Sequence, residues 1–441
     1  MMKMLQVDTR LEDAIVLHKK LTLLVKSLVE EMLEKPFKEY GRFDMFELRN
    51  VLTEENVTPF LESHRELWEP IHEAVADPSL HGETLFIKLF QKINVHLHKV
   101  DGKFFVQLDY SKTIGRWWNV LSENSRGIVY SYPEMEVLSL PFHKFYNLNE
   151  RPQTQLHELN LNQPIHIMEK LDGSMIHVFE HDGELYTATR GAIDGFEFNN
   201  KAKHHLLTTT NVDTVRSFIQ EGYTPIFELL LQEGDENALI VKYEKEELRL
   251  IAVRDRNTGH YVHPTEVEEM ANQLGVKSAV FYHGMTLGNA IAEQKHVKNM
   301  EGWVIYFEDG TMLKVKAEEY LSLLRPKSLD TKFKTKPHLL APTVFKLMEE
   351  NKLDDVLANM GNEETKKEME EMEDKIVAIQ EAWHSEARAL YERHYSENRG
   401  DFARAVLAEK PEKIVQTMVF GMMSGSTVQI KWEHIESALN G

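Results

Sequence analysis

Cysteine is absent from this chain. That excludes a disulfide scaffold, a thiolate nucleophile and any zinc or iron–sulfur site built on cysteine ligands, and it fits an intracellular protein. Long apolar runs are missing too. The longest extend only a handful of residues, too short to span a bilayer. The opening MMKMLQVDTR meets charge before any apolar stretch, which argues against a secretory signal. Positive charge is scarce: 51 Lys+Arg face 71 Asp+Glu, a formal net charge of −20. Spread evenly, that charge repels nucleic acid, so a function on a polyanion requires basic groups gathered in a groove. GxxxxGK[ST] and GxGxxG are both absent, which removes a P-loop kinase module and a dinucleotide fingerprint. The 21 histidines fall in no HExxH or comparable ligand spacing, and pairs such as His96/His98 and His204-His205 read as surface or packing residues. The composition is otherwise ordinary for a folded protein. With 42% hydrophobic and 28% charged residues over 441 positions, the chain predicts two to four domains, each with its own core.

Three textures succeed one another along the chain. Residues 9–35 read as an amphipathic helix, with Thr9 and Glu12 as a capping box and Pro36 as the stop. A second helix is predicted from Thr58, with Pro59 in its first position, and Pro70 and Pro78 punctuate the next stretch. Residues 1–80 thus form a small helical extension without evident chemistry. After a helix predicted over Glu83–His96, residues to about 325 alternate short β-rich runs with turns: KFFVQLDY, GIVYS, EVLSLPF, PIHIMEK, SMIHVFE, GELYTATRG, PIFELLL, ALIVKY, LRLIAVRD, GWVIYF and TMLKVK. Asp182-Gly183 and Asp309-Gly310 are hairpin turns, and Val212–Gln220 and Thr265–Leu274 are helices. The class is α+β with mainly antiparallel sheets. A basic segment over 325–336 precedes an all-helical region, in which Met369, Met372, Ile376, Ile379, Trp383, Ala387, Leu390 and His394 recur at helical spacing. The expected domains are 1–80, 81–335 and 336–441.

Chemistry has several candidates. Lys170-Leu171-Asp172-Gly173-Ser174 places a lysine at a strand end beside a tight turn. A lysine held still and partly desolvated there can act as a nucleophile, since only the neutral amine attacks; the alternative is an ordinary turn with a solvated lysine. Lys314 and Lys316 are two apart in a strand and so share a face, where they can meet one phosphate-bearing ligand or simply face solvent. Glu301, ahead of WVIYF, offers a carboxylate for a divalent cation among those phosphates. Glu228 in PIFELLL is flanked by large apolar residues, fit for a ribose hydroxyl, a metal or an edge-strand charge. Arg126, Lys144 and Arg190 stand at turns or strand ends, and Lys144 precedes Phe145 and Tyr146, a pairing of cation and ring that suits a nucleotide.

Taken in order, KxDG, a basic-Gly turn, FE, EG and KxK resemble the covalent nucleotidyltransferase superfamily, and within it the RNA ligase 1 family of T-even-type bacteriophages. The words that carry the resemblance are SRGIVY, PFHKFYNLNE, EKLDGSM, AVRDRNTGHYV, EGWVIYFEDG and LKVKAEEYLSL, over roughly residues 84–330. It implies an antiparallel-sheet nucleotidyltransferase domain flanked by the helical extension and a helical C-terminal domain. It implies an ATP-dependent RNA ligase with Lys170 as the nucleophile, carrying AMP and passing it to the 5′-phosphate of an RNA end, which a 3′-hydroxyl then seals. Lys314 and Lys316 then neutralise the α-phosphate, with Mg²⁺ (or Mn²⁺) near Glu301 and Glu228, the latter otherwise a ribose contact. Arg126, Lys144 and Arg190 match phosphate or RNA contacts, Arg190 standing where the family has Lys. Tyr146 replaces a Phe. Tyr110 matches an ATP-contacting tyrosine, with one residue fewer before Arg126. Asp354-Asp355 resembles an acidic pair of the C-terminal domain, readable as a cation site or a solvated helix face. The expected partners are single-stranded RNA or nicked tRNA ends and ATP, with no membrane, in the cytoplasm of a host cell, in RNA repair. DNA ligases and capping guanylyltransferases share KxDG, but an OB-fold typically comes after their KxK, and the DNA ligases' arginine shortly after KxDG is missing. A non-catalytic RNA-binding protein on the same fold would lack an essential group, and none is missing.

Overall fold

Period-two burial builds three sheets among the described residues. The computed structural model describes residues 2–32, 36–39, 54–75, 82–111, 114, 117–163, 165–324, 337–358, 360, 362–396, 398–424, 426 and 428–440. The largest sheet runs Met4–Leu5, Tyr261–Val262, Glu247–Asp255, Tyr223–Leu230, Ser174–His181, Glu184–Ala188, with Lys277–Ser278 added in parallel to Glu247–Asp255. A second runs Tyr146–Asn147, Met312–Lys316, Gly302–Phe307, Ile165–Lys170, and a third Ile93–Val100, Lys103–Tyr110, Arg126–Ser131, Val137–Ser139. Apart from Lys277–Ser278 and the parallel pair of Tyr146–Asn147 with Met312–Lys316, the named strand pairings are antiparallel. The molecule is therefore α+β, as the alternating runs and Asp-Gly turns predict. Both hairpins form where expected, with Asp182 and Gly183 at φ 50° and 79° and Gly310 at φ 84°.

The second sheet fixes the site. Gly302 pairs with Lys170 on one side and Lys316 on the other, so both lysines lie level with the start of the central strand and Glu301 immediately precedes it. The register tolerates no side chain at Gly302. Its φ of +143° lies where L-residues rarely go, and a Cβ would overlap the Val315 carbonyl oxygen.

Several elements depart from the sequence reading. The first helix spans Leu11–Met32, entered through Arg10 at φ 49°, and residues 33–35 lie outside the described set. Thr9 Oγ1 accepts from the Arg254 guanidinium at 3.4 Å instead of forming the expected capping box. Pro59 and Pro70 lie inside the helices Glu54–Ser63 and Arg65–Ala74. An internal proline costs about 3 kcal/mol, but Phe60, Trp68 and Ile71 are buried on those helices, and tertiary packing decides helix stability more than propensity does. The helix predicted to His96 ends at Lys92, and Ile93–Val100 is a strand because Ile93, Val95 and Leu97 bury alternately. ALIVKY (238–243) is irregular chain joined to the sheet region by a single bridge, Gln232 to Tyr243. Its Ile240 and Val241 N–H groups are taken by the Asp172 carboxylate at 2.8 and 2.9 Å, which removes them from any strand ladder. The basic segment 325–336 lies outside the described residues.

Hydrophobic cores track the textures only in part. The helices before residue 75 share one core with the third sheet, from Leu11 and Leu28 through Trp68 and Phe86 to Ile128 and Leu140. His18 ties the two together from a fully buried position, its ring nitrogens meeting Tyr130 Oη at 2.8 Å and Ser125 Oγ at 3.0 Å. Burial holds its imidazole down to about 4 and hence neutral. The C-terminal helices have a separate core around Met369, Ile376, Trp383, Val415 and Met418, built along Glu363–His394. At 1.5 Å per residue this helix is about 48 Å long.

Candidate active site

A cavity of about 340 Å³ opens between the first and second sheets and the helix Leu353–Ala358. Lys170, Lys314, Lys316, Lys144, Arg126 and Arg190 all line it, together with Tyr110, Glu228, Asp354 and Asp355. Apolar walls come from Phe145, Met168, Leu171, Met175, Ile251 and Val304. An apolar slot beside a cluster of cations is the shape of a nucleotide site, with base and sugar on one side and phosphates on the other.

Lys170 ends the strand Ile165–Lys170, and its Nζ donates to Glu301 Oε2 at 2.7 Å. Glu301 is only 4% exposed and holds Lys316 Nζ with its other oxygen, also at 2.7 Å. Burial works against its negative charge, but Lys170 and Lys316 outweigh it and hold the carboxyl below its usual range. Glu301 is thus a shared counter-ion beneath two ammonium groups, and the cavity wall itself is formed by the lysines. Lys316 donates further to Asp355 Oδ2 at 2.7 Å. Lys314 lies on the same face one pleat away, while Val315 between them is buried in the opposite core. Burial, reinforced by Lys144, pushes the Lys314 amine down to about 7.

Asp172 of the KLDG turn does not face the cavity. Besides the Ile240 and Val241 N–H groups, it accepts from the Tyr320 hydroxyl at 2.8 Å, and so positions the turn that presents Lys170. Gly173 is required by proximity: a Cβ would overlap the Leu229 carbonyl oxygen and crowd Glu228. Its N–H donates to Glu228 Oε1 at 3.1 Å. Glu228 carries no cationic hydrogen-bond partner of the kind Glu301 has, and burial pushes its carboxyl up to about 8 against the pull of Lys170.

The remaining cations are set on rings. Arg190 lies 4.7 Å over the Tyr110 ring, with its Nε 3.0 Å from Asp109 Oδ1. Lys144 lies 4.6 Å over Trp118 and 5.0 Å over Tyr146, and pairs with Glu150 at 3.1 Å and Asp354 at 3.4 Å. Arg126 lies 5.9 Å over Phe145. Tyr146 is outside the cavity lining; its hydroxyl donates to Glu123 Oε1 at 2.6 Å, and its ring backs Lys144. Asp354 and Asp355 are the C-terminal region's contribution. They pair with Lys144 and Lys316 at the cavity, and the reading of this pair as a solvated helix face divides between them: the Asp354 side chain is 53% exposed, whereas that of Asp355 is 14% exposed. Sequence reasoning missed Trp118, Glu150 and Asp172. The first two have no local signal, because only the fold brings them beside Lys144; Asp172 was visible within KLDGS but its partners, Ile240, Val241 and Tyr320, were not.

Residues 124–321 match the family described as RNA ligase. A putative RNA ligase of Thermovibrio ammonificans is 34% identical over 184 residues, 42% of this chain and 47% of its own length. RNA ligase 1 of bacteriophage TS2126 is 29% identical over 154 residues, 32% of this chain and 36% of its own. The matches thus span less than half the length of these curated relatives. A solved archaeal ATP-dependent RNA ligase overlays 81% of this chain and 98% of its own at 12% identity with a TM-score of 0.42. The match takes in Arg126, Lys144, Lys170, Arg190, Glu228, Glu301, Lys314 and Lys316 but neither Tyr110 nor the Asp354-Asp355 pair. The segment that builds most of the cavity, residues 124–321, is thus similar to the RNA ligase family.

Proposed function

We propose that this chain is an ATP-dependent RNA ligase that joins 5′-phosphate and 3′-hydroxyl ends of single-stranded RNA, or of a nicked tRNA, through a lysine–AMP intermediate. The observation that carries the reading is the placement of Lys170 at the cavity wall, level with Lys316 and on the same carboxylate. The similarity of the segment that holds it to the RNA ligase family supports the same chemistry.

In the first step Lys170 Nζ attacks the α-phosphorus of ATP. A P–N bond forms, the bond from the α-phosphorus to the bridging oxygen breaks, and pyrophosphate leaves. The amine must shed its proton first, and the acceptor in contact is Glu301 Oε2 at 2.7 Å. Lys316 and Lys314 face the same space and stabilise charge building on the phosphoryl oxygens, an effect worth about 10²–10³ in rate for one such donor. The AMP then moves to an RNA 5′-phosphate. Finally a 3′-hydroxyl attacks that phosphate and AMP leaves. Lys144, Arg126 and Arg190, held on aromatic faces, bind phosphate without collapsing onto one another.

A divalent cation, Mg²⁺ or Mn²⁺, fits the donor set. Glu228, Asp354 and Asp355 line the cavity as hard oxygen donors, with Glu301 beneath the lysines, and Glu228 would give up its proton on meeting the ion. Such an ion would offset triphosphate charge. Glu228 in its protonated form also donates a hydrogen bond suited to a ribose hydroxyl.

Purified protein incubated with ATP, Mg²⁺ and a single-stranded RNA tests the reading. Sealing is expected with 5′-phosphate and 3′-hydroxyl ends. Sealing of 5′-hydroxyl or 2′,3′-cyclic phosphate ends, or none with the matched ends, would contradict it.

A further inference from the structure

At the end of the strand Ile165–Lys170 away from the cavity, three side chains from three segments meet. His166 stands on that strand, Glu308 comes directly after Gly302–Phe307, and His263 directly after Tyr261–Val262 in the largest sheet. His166 Nε2 lies 2.8 Å from Glu308 Oε1 and 3.0 Å from His263 Nε2, and the three ligand atoms all fall within 4.8 Å of one another. None of the three lines the cavity around Lys170.

The hydrogen bonds of this cluster close only if one proton is shared between two acceptors. His263 Nδ1 meets the Thr265 N–H at 3.4 Å and its hydroxyl at 2.7 Å, capping the helix Pro264–Leu274. If Nδ1 accepts from that N–H, the neutral ring carries its proton on Nε2, aimed at His166. His166 Nε2 must then be bare, and its lone pair faces the Glu308 carboxylate. If His166 Nε2 carries the proton instead, that one proton serves both Glu308 and His263, and His263 Nδ1–H donates to the Thr265 hydroxyl while the longer contact from the Thr265 N–H is given up. The charged groups facing this ring are Lys3, Glu308 and Glu266. With both Nε2 atoms unprotonated, three lone-pair atoms converge on one point, and a cation would satisfy all of them at once.

The spacing is close to what an ion needs. Two imidazole nitrogens bound to one tetrahedral ion at about 2.0–2.1 Å stand roughly 3.3 Å apart, so the observed 3.0 Å opens by about 0.3 Å. The rings cross at 73° with centroids 4.1 Å apart. Glu308, with half its side chain in solvent, has room to move. Two imidazoles and one carboxylate suit a d-block ion, whereas Mg²⁺ prefers an all-oxygen shell.

We propose that His166, His263 and Glu308 bind one divalent d-block cation of the zinc type, with water completing the shell. The ion braces the strand that carries Lys170 against the edge of the largest sheet, through His263, at a point separate from the reaction.

Titration of chelator-stripped, full-length protein with Co²⁺, and then displacement with Zn²⁺, tests this. Wild-type protein should take up one equivalent of Co²⁺ with the strong visible absorption of four- or five-coordinate nitrogen–oxygen ligation, and Zn²⁺ should bleach it. Glu308→Gln, on a half-exposed side chain, should weaken uptake at least roughly tenfold. His166→Ala should abolish the band, with folding checked by circular dichroism. Lys170→Ala, which leaves the cluster intact, should bind as wild type. A wild-type protein without the band, or a folded Glu308→Gln that binds Co²⁺ as well as wild type, overturns the proposal.

Discussion

Glu228 and Lys314 show what burial does to single charges in this cavity. Burial raises the Glu228 carboxyl to about 8, with the Glu301 and Asp172 charges adding to the effect and Lys170 opposing it. Folding therefore favours its protonated form. The stability this gives is fully present below the unfolded carboxyl value of about 4.5 and is lost as pH rises through about 8. Glu228→Gln, which keeps an acceptor for the Gly173 N–H, should be more stable than wild type at pH 9, with the difference closing toward pH 4; thermal melts across that range check it. A constant difference at every pH would contradict the assignment. Lys314 has the opposite shift, down to about 7 by burial and Lys144. Above pH 7 the free protein holds it largely neutral, and triphosphate oxygens should draw the proton back. Calorimetry of ATP binding at pH 8 in buffers of different ionisation heat should show proton uptake, smaller in Lys314→Met. Equal uptake in both would contradict it.

At the scale of elements, the site is one register held by one glycine. Gly302→Ala introduces a Cβ against the Val315 backbone at a φ unfavourable to alanine. Strain of this kind costs about 1–3 kcal/mol, and relief requires the Lys316 strand to move. The expected result is a lower melting temperature together with a loss of AMP transfer, whereas an unchanged enzyme would contradict the register argument. The helix Leu353–Ala358 brings Asp355 onto Lys316, where a nucleotide phosphate would have to compete with it. In EDTA, Asp355→Asn should tighten ATP binding by roughly tenfold, the 1.4 kcal/mol scale of one charge contact. Weaker binding in EDTA would contradict the competition.

Much of this layer was legible in the chain. The alternation in PIHIMEK, GWVIYF and TMLKVK marks the three adjacent strands of the second sheet, and the two-residue spacing of Lys314 and Lys316 places both on one face. Pattern could not show the contacts made at long range. ALIVKY reads as a strand by composition, but Asp172 takes its amides. Pro59 and Pro70 read as helix boundaries, but packing of Trp68 and Ile71 carries the helices through them. His166, His263 and Glu308 have no spacing signal because three separate segments supply them.

For the whole molecule, net charge and local charge diverge as a polyanion-handling protein requires. A chain of formal charge −20 gathers Arg126, Lys144, Lys170, Arg190, Lys314 and Lys316 around one cavity. The N-terminal helices share one core with the sheet that carries Tyr110 and Arg126, a core that includes Leu28, Phe86 and Ile128. No described helix is long and apolar enough to cross a membrane. The C-terminal helices meet the rest through ion pairs, Lys144 to Asp354, Lys316 to Asp355 and the buried Lys92 to Glu381 at 3.0 Å, while their own core takes no residue before Leu339. All of this converges on one amine. The most direct test is incubation with α-labelled ATP and Mg²⁺ without RNA, and then peptide mapping of the labelled protein. The account predicts AMP on Lys170, stable to base, released by acid and absent from Lys170→Ala. Label on another residue, equal label on Lys170→Ala, or none on the wild type would contradict it.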